Sequence, residues 1–175
     1  MANIFLISDT HFGHANVLNF FRSDGVTKLR PFSHVDEMDE HMVDCWNSVV
    51  KPCDKVYHLG DVAMSHKSLP ILKRLNGEKC LIKGNHDKAK LSQYLPYFYD
   101  IRGSHQFDGI LMTHIPTHVE SLGRWPVNVH GHLHYHRVMS SPHHIDPRYF
   151  NVSVECIKYT PISLEELKLA VKNQS

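Results

Sequence analysis

The sequence predicts an α/β protein: a sheet core covered by helices, with a second half richer in strands. Short apolar runs without alternation read as buried strands. Between the first of these, apolar residues recur at helical spacing, the β-α-β alternation of a helix-covered sheet. In the second half, Gly and Asp-Gly turns cut the chain into short strands. At 175 residues the chain is most simply one domain, 1–175, long enough to bury a sizeable core. No repeat, low-complexity tract or Ser/Gly linker divides it.

The elements follow in order. Residues 3–8 (NIFLIS) form the first strand and HANVLNFF a short helix. SHVDEMDEHMVDCWNSVV is a stronger helix, with Met38, Met42, Cys45, Trp46 and Val49 on one face behind a Ser33 cap. KVYHL (55–59) is a second strand, SLPILKRL a helix, and KCLIK (79–83) a third strand. FYDIRGSHQFDGILMTH gives two or three strands turning at Gly103 and at Asp108-Gly109. PVNVHGHLH, HRVM and YFNVSVE continue the strands, and Ser163 with Glu166 opens a last helix as a capping box.

Composition excludes several classes. The 42% hydrophobic and 21% charged residues are those of a soluble globular protein. Runs such as IFLI and GILM are too short to cross a bilayer. MANIFLISD has no secretory-signal character, so a cytoplasmic location is expected. A formal charge of +1 gives no long-range attraction to membrane or nucleic acid. The four cysteines form no CxxC pair, and Cys45 and Cys80 read as buried thiols. The unusual feature is 16 histidines.

Their positions repeat one pattern. Strand 3–8 ends in Asp9-Thr10-His11, strand 55–59 in Gly60-Asp61, and strand 79–83 in Gly84-Asn85-His86-Asp87. GILMT ends in His114, and PVNV in HGHLH, residues 130–134. The carboxyl ends of strands are where open α/β sheets bind ligands. Turn chemistry explains Asp or Asn there, but not the histidines. Asp9, His11, Asp61, Asn85, His114, His132 and His134 together offer carboxylate, amide and imidazole donors without a thiolate. Such a set suits Mn²⁺, Fe, Zn²⁺, Co²⁺ or Ni²⁺. Seven ligands are too many for one tetrahedral ion, but suit two ions about 3.5–4 Å apart.

With these residues in place, the sequence resembles the calcineurin-like metallophosphoesterase superfamily, whose blocks run D-x-H, G-D, G-N-H-[DE], H and G-H-x-H. Here they read DTH (9–11), GD (60–61), GNHD (84–87), TH (113–114) and GHLH (131–134), in order. Asp87 stands where many members carry Glu. The resemblance implies a four-layer αββα sandwich of two mixed sheets flanked by helices. It also implies two divalent ions, Mn²⁺ foremost, one held by Asp9, His11 and His134 and the other by Asn85, His114 and His132. Asp61 would bridge them and share in catalysis. A bridging hydroxide would attack phosphorus, the residual positive charge would favour a phosphate, and His86 would act as the catalytic histidine.

Other residues admit plainer readings. His14 is either a phosphate or ligand neighbour or a cap for the helix starting at Ala15. His58 either touches a ligand or packs in the core, and Asp87 either orients a ligand or caps a helix. His34, His66, His105 and His118 follow no pattern and read as solvated, while Phe20, Phe21, Trp46 and Tyr57 fit core packing. Arg22, Arg30 and Arg124 are candidate phosphate contacts. Arg124 is favoured because it lies between the fourth and fifth blocks.

The function expected is hydrolysis of small phosphate esters. Diesters are preferred, because no dense Arg/Lys set is present to clamp a dianion. A phosphomonoesterase or nucleotidase on the same site is the near alternative, and a metal-bearing scaffold without chemistry the distant one. Nucleic acid enters only as a substrate, because no basic stripe is present. Segments 12–36 and 116–126 are the ones placed to overhang the site. Oligomeric state has no signature in the sequence.

Overall fold

The computed structural model describes residues 2–174. Among these residues three α-helices, α1 (Val35–Val49), α2 (Leu91–Tyr94) and α3 (Leu164–Gln174), accompany eleven strands. A five-stranded sheet contains β1 (Ile4–Ile7), β2 (Lys55–His58), β3 (Glu78–Ile82) and β4 (Asp100–Arg102), all parallel, with β11 (Ile162–Ser163) antiparallel to β1 at one edge. A four-stranded sheet runs in the order β10 (Tyr149–Asn151), β7 (Val127–His130), β6 (Ile110–Thr113) and β5 (Ser104–Phe107). A small ribbon, β8 (Met139–Ser141) with β9 (His144–Ile145), stands apart.

Strands β1, β2 and β3 are buried on both faces, so alternate residues enter different cores. Phe5, Ile7, Val56 and Leu81 pack under α1, against Met38, Met42, Val43 and Trp46. Burying side chains of that size stabilises by roughly 1.5–3 kcal/mol each. Their neighbours Leu6, Tyr57, Cys80 and Ile82 face the second sheet, meeting Ile110, Met112, Val129 and Phe150. The chain is thus a mixed α/β sandwich in which two sheets pack face to face. The outer face of the smaller sheet is covered by Val119, Leu122 and Trp125, around a 3-10 turn rather than a long helix.

Several elements differ from their sequence reading, each for a local reason. The segments after His14 and around SLPILKRL are 3-10 helices, Ala15–Asn19 and His66–Arg74. Pro70 lies inside the second and has no N–H for an i−4 carbonyl. The N-cap of α1 is His34, whose side chain makes no cap bond, while the Ser33 N–H donates to Glu37 Oε2 at 2.8 Å. Gly103 does not close a hairpin: β4 belongs to the first sheet and β5 to the second, so the chain changes sheets there. The Asp108-Gly109 turn does close one, with φ of 51° and 78° as a type I′ turn requires. Phe20 and Phe21 are exposed rather than packed, and Cys45 is half-buried beside His41. At the carboxyl edge the two sheets are stitched together: Ser8 pairs with Ser153, the Ser8 N–H donating to the Val152 carbonyl at 2.9 Å and the Val154 N–H to the Ser8 carbonyl at 3.1 Å.

Candidate metal centre

Three of the five blocks turn sharply where their strands stop. Asp9, His11, Asp61, His132 and His134 have φ between 49° and 68°, the left-handed region that Asp and His reach more readily than most residues. Glycine is required where backbones meet: a Cβ on Gly84 would strike the Asp61 carboxylate, and one on Gly131 would strike Ser8 Oγ and Asp9 Oδ2.

Two groups of donors result. One carboxylate or imidazole atom each from Asp9, His11 and His134 lies within 4.8 Å of the other two, and the same holds for Asp61, His114 and His132. Asp61 Oδ2 is 3.7 Å from His11 Nε2 and 3.4 Å from His114 Nε2, so this carboxylate stands between the groups. Asn85 Oδ1 is 2.8 Å from His114 Nε2 and adds an amide to the second.

The atoms left over test whether cations fit. Asp9 Oδ1 and both nitrogens of His11 are buried without a hydrogen-bond partner. His11 Nε2 lies 3.9 Å from Asp9 Oδ1, too far for a hydrogen bond but near enough to share an ion. Burial holds His11 neutral, well below its ordinary pKa, in the form that can ligate. His114 Nδ1–H donates to the Leu59 carbonyl at 2.7 Å. Its Nε2 faces two acceptors, Asn85 Oδ1 and Asp61 Oδ2. Burial lowers the His114 pKa, but the Asp61 and Asp9 carboxylates outweigh it and raise it above the ordinary value, so without an ion a proton on Nε2 serves both oxygens. A divalent cation can take the place of that proton, meeting the nitrogen and both oxygens at once. Burial raises the Asp61 carboxyl, but His114, the His86 N–H and His11 outweigh it and hold it down to about 2, ionised at neutral pH. The residues therefore fit a two-ion centre.

The other candidates fall around it. His86 donates its backbone N–H to Asp61 Oδ1 at 2.8 Å. Its ring sits 5.8 Å from His11 with Nδ1 unpartnered. His14 holds the N-cap position without capping; its ring lies 5.6 Å from His11, again with Nδ1 unpartnered. Asp87 accepts from the N–H groups of Asp61, Val62 and Gly84, tying the second block to the third. His58 is fully buried against Trp46. Its Nδ1 accepts from Gly60 N–H, and its Nε2–H donates to Thr10 Oγ1, whose own proton goes to the Val62 carbonyl. Arg124 is exposed, its guanidinium over the Trp125 ring rather than within either donor group.

Behind the donors stand Glu155 and Ser153, which the sequence reading did not name, and Arg30, which it offered as a phosphate contact. Arg30 is fully buried and points inward, not to a substrate phosphate. Glu155 accepts from Arg30 Nε at 2.8 Å and from His134 Nδ1 at 3.1 Å. Ser153 Oγ–H donates to Asp9 Oδ2 at 2.9 Å. A signal for Glu155 exists in YFNVSVE, one more apolar run ending on an acid. Arg30 lies 125 positions from Glu155, so nothing local in the sequence pairs them.

No protein-family model matches the chain. The uncharacterized protein MJ1445 of Methanocaldococcus jannaschii is 37% identical, the match covering 94% of this chain and 89% of that protein. The crystal structure of AQ665 from Aquifex aeolicus, a protein of unknown function, superposes with a TM-score of 0.74 at 29% identity, over 97% of this chain and 100% of that one. A looser likeness to vacuolar protein sorting 29 of Cryptosporidium parvum has a TM-score of 0.43 at 17% identity, over 86% of this chain and 72% of that one, and carries no argument. Identity of that order held over nearly the whole of both sequences means that the chain belongs to the family of MJ1445.

Proposed function

We propose that this protein is a phosphoester hydrolase of the calcineurin-like metallophosphoesterase type, acting on small phosphodiesters in preference to monoesters. One observation carries the reading: two Asp/His donor groups meet at one sheet edge with Asp61 between them. Asp9, His11 and His134 would hold one divalent ion, Mn²⁺ by preference, and Asn85, His114 and His132 the other. The five ordered sequence blocks support the same assignment. When bound, the ions supply Lewis acidity toward the phosphoryl oxygens and ready deprotonation of an attacking water.

The chain's own residues do the rest. Asp61, ionised and oriented by the His86 N–H, sets the spacing of the two donor groups. Because that N–H fixes its backbone while the ring stays outside both groups, His86 can hold the proton destined for the leaving alkoxide oxygen. His14, its ring 5.6 Å from that of His11, would be the neighbour that contacts a phosphate held at this centre. Nucleic acid would meet this site only as a substrate. Among the described residues no helix is long and apolar enough to cross a membrane, and a cytoplasmic setting is part of the proposal.

The test is hydrolysis of a bis-aryl phosphate and its matching monoester by Mn²⁺-loaded protein. EDTA should abolish turnover and Mn²⁺ restore it. His86→Ala should keep two ions by elemental analysis yet lose on the order of a hundredfold in kcat. Undiminished hydrolysis by metal-free protein would overturn the reading.

A further inference from the structure

The two donor groups are not built alike behind their histidines. In one, His114 Nδ1–H is held by a neutral backbone carbonyl, that of Leu59, at 2.7 Å. In the other, His134 Nδ1–H is held by the Glu155 carboxylate at 3.1 Å, and that side chain is fully buried. Glu155 is in turn held by Arg30, whose side chain is also fully buried. The rest of the Arg30 fork is spent on the turn carrying the first block: Nη2 donates to the Asp9 carbonyl at 2.5 Å and Nη1 to the Thr10 carbonyl at 2.8 Å.

A buried ion pair is a weak source of stability, because desolvating both charges offsets most of their attraction. This pair reaches two members of one donor group directly and the third through its chain neighbour. It holds the carbonyls of Asp9 and of Thr10, the residue before His11, and fixes the His134 ring so that Nε2, not Nδ1, faces Asp9 and His11. A charged acceptor behind an imidazole also raises its strength as a ligand, whereas a carbonyl does so less.

We infer that Arg30 and Glu155 form a positioning relay serving the Asp9/His11/His134 site alone, so that the two ion sites differ in affinity and can be weakened one at a time. The inference rests on the two-ion reading above. Neither residue touches substrate or ion. Arg30 belongs to segment 12–36, whose course is thereby tied to the metal centre as a support.

Metal-free protein titrated with Co²⁺, followed by calorimetry and visible absorption, tests this. Wild type should take two equivalents. Glu155→Gln should keep one equivalent at wild-type affinity and bind the other roughly ten- to a hundredfold more weakly, the usual effect of removing a partner behind a ligand. The equivalent that survives in Glu155→Gln should be the one lost in His132→Ala. If Glu155→Gln does not fold, Glu155→Asp keeps the charge beside Arg30 but falls one methylene short of His134, and the same selective loss is expected. Two sites weakened equally, or neither, in a wild type that holds two ions would overturn the relay and leave the two-ion reading standing. A folded wild type that binds no Co²⁺ would overturn both.

Discussion

Asp61 is the residue on which both donor groups depend, within 3.7 Å of His11 Nε2 and 3.4 Å of His114 Nε2. Asp61→Ala should therefore remove more metal than Asn85→Ala, whose amide serves one group only; elemental analysis of both variants decides it. His58 governs acid stability nearby. Burial holds this imidazole at about 3, far under its ordinary value near 6.5, and protonating Nδ1 would set N–H against the Gly60 N–H it now accepts. Between about pH 6.5 and 3 the unfolded chain takes this proton and the folded chain does not. The stability contributed by a neutral His58 is thus present above 6.5 and lost as pH falls. His58→Gln, which can accept and donate in the same places without titrating, should flatten that loss in metal-free denaturation curves between pH 7 and 5; equal slopes for the two proteins would count against it. At this scale the donors were legible because each lies within a few residues of its strand and its glycine. Glu155, Arg30 and Ser153 were not, since what they touch lies 21, 125 and 144 positions away.

The strands act as posts that deliver the donors, three of them through left-handed turns, and the glycines let neighbouring posts close up. Gly131→Ala should drive a methyl group into Ser8 Oγ and Asp9 Oδ2. Overpacking of that kind costs on the order of 1–3 kcal/mol, and here it also displaces a donor. Expected are a lower melting temperature and loss of one ion, with Gly103→Ala, where an added Cβ meets nothing, as the neutral control. Strands β1 to β3 were readable because strands buried on both faces leave unbroken apolar runs. The sheet change at Gly103 was not: alternation fixes which way a side chain points, not which sheet receives it. The 3-10 course of His66–Arg74 was foreseeable from Pro70, and the exposure of Phe20 and Phe21 was not, because size and hydrophobicity alone do not place a side chain.

Across the whole molecule, each donor group draws on the ends of both sheets: Asp9, His11 and Asp61 follow strands of the larger, and His114, His132 and His134 follow strands of the smaller. Bound ions would therefore pin the sheets to one another. An ion present at a hundred times its dissociation constant stabilises by about 2.7 kcal/mol per site, which in a chain of this size is a melting shift of roughly 5–10 °C. With both sites filled, Mn²⁺ should raise the thermal midpoint by roughly 10–20 °C and EDTA reverse it; a shift under about 1 °C in protein holding two ions would contradict the pinning. The face-to-face packing was expected only through the superfamily resemblance, since apolar runs do not say how strands divide between sheets, and the stitching of Ser8 to Ser153 is a long-range pairing that periodicity does not reveal. The same division has a consequence in time. A ribosome makes the larger sheet's donors first, yet neither group has its third member until residue 132 or 134 of the 175 has been added. Through most of the synthesis of these residues neither donor group is whole, and a two-ion centre can assemble only once the ends of both sheets have met.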